Sequence, residues 1–129
     1  MTIAEDISQE GFERIAQETW DALPKDFRDI AGNLVIRVVD FADRGTLDAM
    51  EIDSPYGLLG LYHGIGLPFK SVWHAPHGPD MIFLYRLPIL RFARQEHENV
   101  DSVIRHVLIH EIGHHFGFSD ADMEAIEAQ

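Results

Sequence analysis

The chain has 129 residues, of which 46% are hydrophobic and 25% charged, with no cysteine and a formal net charge of −12. That length and composition predict one soluble domain spanning residues 1–129 with a real core. They exclude disulfides, a thiolate nucleophile and a cysteine metal site, and the acidic balance disfavours nucleic acid as a partner. The N-terminus has neither a basic nor an apolar leader pattern, and no apolar run approaches a membrane span, so the default expectation is a cytoplasmic protein with no membrane partner.

From about Ser8 to Leu23, the residues Phe12, Ile15, Ala16, Thr19, Trp20 and Leu23 recur at helical spacing and predict an amphipathic packing helix closed by Pro24. A short helical turn over 24–30 follows, ended at Gly32 and Asn33. Leu34 to Val39 is rich in β-branched residues and near-continuously apolar, which predicts a central strand. After a polar loop, Thr46 is placed to cap a short helix through Met50.

The stretch 54–68 mixes glycine and aromatic residues with little charge. It reads as a short strand plus a tightly packed loop, or as a wall of a cleft. Residues 72–79 form a turn-rich connection. His74 and His77 within it raise the question of a second metal site, but Pro76 prevents a regular helix between them and an exposed loop is the expectation. Asp80 to Arg86 predicts a second strand, with Pro88 marking its end or an edge position and suiting the first turn of a helix through about Arg94.

Asn99 is placed as the N-cap of a helix of about 18 residues with Asp101 in its first turn. Val100, Val103, Ile104, Val107, Leu108 and Ile112 form its wide apolar face, and Arg105 and His106 lie off that face. Gly113 interrupts the helix interior at a cost of about 0.5–1 kcal/mol relative to alanine, which predicts close approach of a strand or of a substrate there. Gly117 suits a left-handed stop. Ser119 and Asp122 form a variant capping box that starts a last helix, Asp120 to about Ala128.

This helix carries the chemistry. The run His110-Glu111-Ile112-Gly113-His114-His115-Phe116-Gly117-Phe118-Ser119-Asp120 contains His-Glu-x-x-His. Residues four apart share a helix face, so His110 and His114 can converge on one ion, with Glu111 beside them to handle a proton. The turn at Gly117 brings the chain back and offers Asp120 as a third ligand. Two imidazoles and a carboxylate leave a fourth position open, the pattern of a catalytic zinc site with one Zn2+ per chain. Glu111 is then the general base for hydrolysis by a metal-activated water. His115 points about 100° away from His114 and is expected in a supporting or core position.

The run from His110 to Asp120 resembles the His-Glu-x-x-His-x-x-Gly-x-x-(His or Asp) signature of metzincin-like zincins. More closely, the chain resembles, over roughly its C-terminal two-thirds, the small bacterial zincin-like metallopeptidases with a minimal zincin fold. That resemblance extends upstream to Gly57-Leu58-Leu59-Gly60-Leu61-Tyr62 and to the segment from Pro79 to Pro88. It implies an α+β domain with a small mixed β-sheet packed against the active-site helix and the N-terminal helix. It also implies zinc bound by His110, His114 and Asp120, Glu111 as base, and a peptide or protein substrate.

Full metzincins have histidine where Asp120 stands and a later Met-turn. Only nine residues follow Asp120, and Met123 is the sole methionine among them. Two other readings therefore stand beside a peptidase: a metal-stabilised binding or regulatory module without turnover, and a zincin-like hydrolase of a non-peptide substrate. The lack of a basic cluster near the motif disfavours a ribonuclease as the latter.

Overall fold

The structure is a computed structural model that describes residues 7–64 and 80–129. His74 and His77 lie outside the described residues. In chain order the elements are α1 (Gln9–Asp21), α2 (Lys25–Ala31), β1 (Val35–Val39), α3 (Arg44–Ala49), a 3-10 turn (Pro55–Gly57), β2 (Gly60–His63), β3 (Met81–Tyr85), α4 (Arg86–Gln95), α5 (Val100–His115) and α6 (Asp120–Glu127). Helices with a small mixed sheet make this an α+β architecture, as expected.

The sheet order among the described residues is β1-β3-β2. β1 runs parallel to β3, with Val35 opposite Met81, and β2 runs antiparallel to it, with Gly60 opposite Leu84. The central strand is thus β3, not β1, which corrects the sequence expectation. The apolar run of β1 reflects its packing against α1 rather than burial on both sides, and Val39 at its end is exposed. Its outer edge is blunted by Gln9, whose side-chain Nε2 donates to the Val38 carbonyl at 2.7 Å.

Among the described residues, side-chain caps start three of the six α-helices. Ser8 caps α1 by accepting from the Gly11 amide. α3 is capped by Asp43, whose carboxylate accepts from the Thr46 amide at 2.6 Å, and not by Thr46 as expected. Thr46 stands inside the helix because the polar loop turns three residues earlier. Asn99 occupies the N-cap position of α5 but makes no side-chain capping bond. α6 begins with the expected capping box, in which Ser119 accepts from the Asp122 amide and Asp122 accepts from the Ser119 amide, both at 3.1 Å.

A main core joins most of these pieces, and a smaller cluster of Ala42, Leu47, Leu58 and Tyr85 seats α3. The apolar face of α5 (Val103, Ile104, Val107, Leu108, Ile109 and Ile112) meets Phe12 and Ala16 of α1, Ile82 and Leu84 of β3, and Ile89, Leu90 and Ala93 of α4 in a single cluster. β2 lies directly on α5: a Cβ on Gly60 would stand 2.6 Å from Cγ1 of Val107 and 3.0 Å from the Phe83 carbonyl oxygen. Only glycine lets the strand come this close.

On another side of α5, Gly113 faces α6. A Cβ there would meet Met123 Sδ at 2.5 Å and Cγ at 2.8 Å, and Met123 is completely buried. The partner that requires Gly113 is therefore a methionine of the last helix, neither a strand nor a substrate. Gly117 ends the motif segment with φ 79°, and its amide donates to the His114 carbonyl.

Gly113→Ala should accordingly destabilise the domain by about 1–3 kcal/mol, the usual cost of overpacking, although alanine favours helix by propensity. In a Met123→Ala background the same change should be neutral or stabilising. Denaturant melts of the four proteins measure the coupling; equal effects in both backgrounds would separate Gly113 from Met123.

Candidate metal centre

α5 presents its histidines along one strip at the boundary of the core. His106, His110 and His114 are four residues apart, so each lies about 40° around from the last. The rings of His106 and His110 stack with centroids 4.0 Å apart, and those of His110 and His114 meet edge to face at 5.8 Å. The His110 side chain is 26% exposed, while His106 and His114 are exposed.

Glu111 turns inward from this strip and is partly buried. Burial raises its carboxyl above the ordinary glutamate range; a hydrogen bond from the Tyr62 backbone amide and the nearby imidazoles of His114 and His110 offset part of that rise. The Tyr62 contact follows from the register. The Tyr85 amide donates to the Leu59 carbonyl at 2.9 Å, so in this antiparallel pair Leu59 and Leu61 point their peptide groups at β3, while Gly60 and Tyr62 point theirs outward. The outward amide of an edge strand thus reaches the motif glutamate.

Tyr62 also anchors His115. Their rings stack at 3.9 Å with an interplanar angle of 21°. The Tyr62 hydroxyl donates to Asp80 Oδ2 at 2.8 Å, and burial, this bond and the Asp80 charge together push its pKa well above the ordinary tyrosine value. His115 therefore sits under β2, away from the strip that carries His110. Its buried Nε2 has no hydrogen-bond partner among the described residues. His63, at the far end of β2, is exposed and packs edge-on against Phe83.

Asp120 is the first residue of α6, and its side chain is exposed. In this structure it does not join His110 and His114 in a tight ligand group. The described histidine and carboxylate groups that do gather are His106, His110 and Glu127, with ligand atoms all within 4.8 Å of one another. Glu127 Oε1 is 2.6 Å from His106 Nδ1, and Oε2 is 3.5 Å from His110 Nε2.

Glu127 is placed there by Arg105. The guanidinium donates to the carbonyls of Glu127 at 2.8 Å, Ile126 at 3.0 Å and Gln129 at 3.3 Å. These carbonyls lie at the end of α6, where a cation suits the negative end of the helix dipole. The sequence reading passed over His106 and Glu127. His106 was detectable, since its spacing to His110 repeats that of His110 to His114. Glu127 was not, because its approach depends on α6 folding back along α5.

A groove of about 900 Å³ lies between α1 and the start of α5 and is lined by Thr19, Arg94, Asn99 and Asp101 among others. None of the motif residues from His110 onward lines it.

A family model for zincin-like metallopeptidases matches residues 31–129. The chain belongs to that family. The match begins at the end of α2, well upstream of the glycine-rich stretch at 57–62, and takes in the whole sheet, α5 and α6. No curated protein matches the chain. Among the described residues, no helix is long and apolar enough to cross a membrane.

The donor set fits the zinc that this family implies: two imidazoles four residues apart on one helix, carboxylates on the following helix, and no sulfur. Arg105→Ala should release the end of α6. Amide exchange in Asp120–Glu127 should accelerate, with about 1–3 kcal/mol lost from global stability for the freed carbonyls and the lost ionic donor. Unchanged exchange in α6 would show that Met123 packing alone holds it.

Proposed function

We propose that the protein is a zinc-dependent peptidase in which His110, His114 and Asp120 bind the metal and Glu111 is the general base. The observation that carries this reading is the position of Glu111. It is a partly buried carboxylate next in sequence to His110, on the helix that carries both motif imidazoles, with the outward Tyr62 amide of β2 facing it. Membership of the zincin-like metallopeptidase family supports the same assignment.

Bound zinc would acidify a water to a pKa of about 7 and polarise a carbonyl. The protein's own groups do the rest. The Glu111 carboxylate accepts the proton of the attacking water and delivers it to the departing amine nitrogen, so no covalent acyl-enzyme forms. A raised carboxyl pKa suits both halves of that transfer, since such a group holds a proton more readily than an exposed glutamate.

The outward Tyr62 amide favours the ionised carboxylate. Among the described residues no strand pairs with the outer edge of β2, where Gly60 directs its peptide group and an extended peptide can add as a further strand. A short edge strand lying on the motif helix is a reason to favour peptide over other substrates. Asp120 stands at the capped start of α6, just past the Gly117 turn that ends the motif helix.

Zinc-loaded protein should cleave members of a quenched-fluorescent peptide library, and a chelator should abolish the signal. Glu111→Gln should retain zinc and lose about 100-fold or more of the rate, the lower end of what a general base supplies. Equal rates for Glu111→Gln and wild type would remove Glu111 as the base. Retained zinc with no cleavage of any library member by wild type would favour a metal-stabilised binding module.

A further inference from the structure

The three-residue group of His106, His110 and Glu127 lies beside the pair His110 and His114 and shares one residue with it. We propose that His106 Nδ1, His110 Nε2 and the Glu127 carboxylate form a second station for a divalent transition-metal ion, exclusive of the His110–His114 site. The exclusivity rests on the zinc assignment made under the proposed function; the station itself does not.

The geometry is close to what an ion needs. Bonds of about 2.0–2.1 Å in a tetrahedron put neighbouring ligand atoms about 3.3–3.4 Å apart. The 3.5 Å from His110 Nε2 to Glu127 Oε2 already matches that edge. The 2.6 Å from His106 Nδ1 to Glu127 Oε1 is a hydrogen bond; it has to open by less than an ångström, a small side-chain rotation, while the imidazole gives up a proton.

Two further features make this a built group rather than a chance meeting on the surface. Arg105 holds the Glu127 backbone in place through three carbonyls, and ring stacking holds His106 against His110. His106 is 58% exposed and His110 and Glu127 are each 26% exposed, so an ion can enter and keep water in its remaining position.

The donor chemistry sets the ion class. Two imidazoles and one carboxylate suit zinc, copper, nickel or cobalt and not calcium or magnesium, which require all-oxygen shells. The net charge of −12 raises the local concentration of any cation. Because His110 Nε2 cannot serve two ions, occupancy of this station takes His110 away from His114. One helix face would thereby offer a metal ion two alternative seats, one beside Glu111 and one a helical turn away from it.

The test is calorimetric titration of metal-free protein with zinc, with circular dichroism confirming that each variant keeps its helices. His114 is exposed, so His114→Ala leaves the fold and the proposed station intact. His114→Ala should still take up one ion per chain. Adding either His106→Ala or Glu127→Gln to that background should weaken uptake by more than the roughly 10–100-fold that loss of a supporting group costs. The proposal is overturned if His114→Ala binds no zinc, or if its binding is indifferent to both second changes.

His106→Ala alone separates this proposal from the zincin assignment. If it retains one zinc while His114→Ala retains none, the second station fails and the His110–His114 site stands. If it loses zinc while His114→Ala retains it, the station stands and the His110–His114 site fails.

Discussion

The structure depends on how closely its neighbours press on α5. A helix that is buried along most of its length can expose only a narrow strip, and the identity of that strip is decided by which neighbours come closest. Gly60 lets β2 lie against Val107, and Gly113 lets Met123 of α6 lie against the helix backbone. α1 and α4 cover the rest of the apolar face. In the later turns of the helix the row His106, His110 and His114 remains accessible, with Glu111 partly buried beside it. The motif is thus held by packing on a rigid element, which is what a site needs if its ligands are to keep their directions.

The same packing sets the electrostatics. Glu111 lies under an edge strand, so burial raises its proton affinity, yet the outward amide of Tyr62 reaches it because the strand register turns that peptide group away from β3. Sheet register and helix chemistry are therefore one problem here. A shift of β2 by one residue would exchange which amides face α5 and would leave the glutamate without its donor. At the far end, α6 closes the arrangement through the buried Met123 and the Arg105 clamp, and places two carboxylates, Asp120 and Glu127, at its two ends.

Much of this was legible in the sequence wherever the signal is local. The apolar periodicity of α1 and α5, the capping box at Ser119 and Asp122, the glycine stop at Gly117 and the β-branched run of β1 all depend on residues within a few positions of one another. What was not legible depends on which distant elements meet. β1 looked central because its residues are apolar, but apolar residues on a strand are equally satisfied by a helix against one face and a side chain over its edge. Gly113 signalled a close contact, but not that Met123 makes it. The site divides the same way: His110, Glu111 and His114 are a local pattern, whereas the Tyr62 amide and the Glu127 carboxylate arrive through tertiary folding.

The most direct test of the central claim is a crystal structure of the zinc-loaded protein with the ion located by anomalous scattering. The account predicts zinc bonded to His110, His114 and Asp120, with Glu111 close by but outside the coordination sphere. Absence of zinc from the His110–His114 pair, or zinc bonded to Glu111, would contradict it.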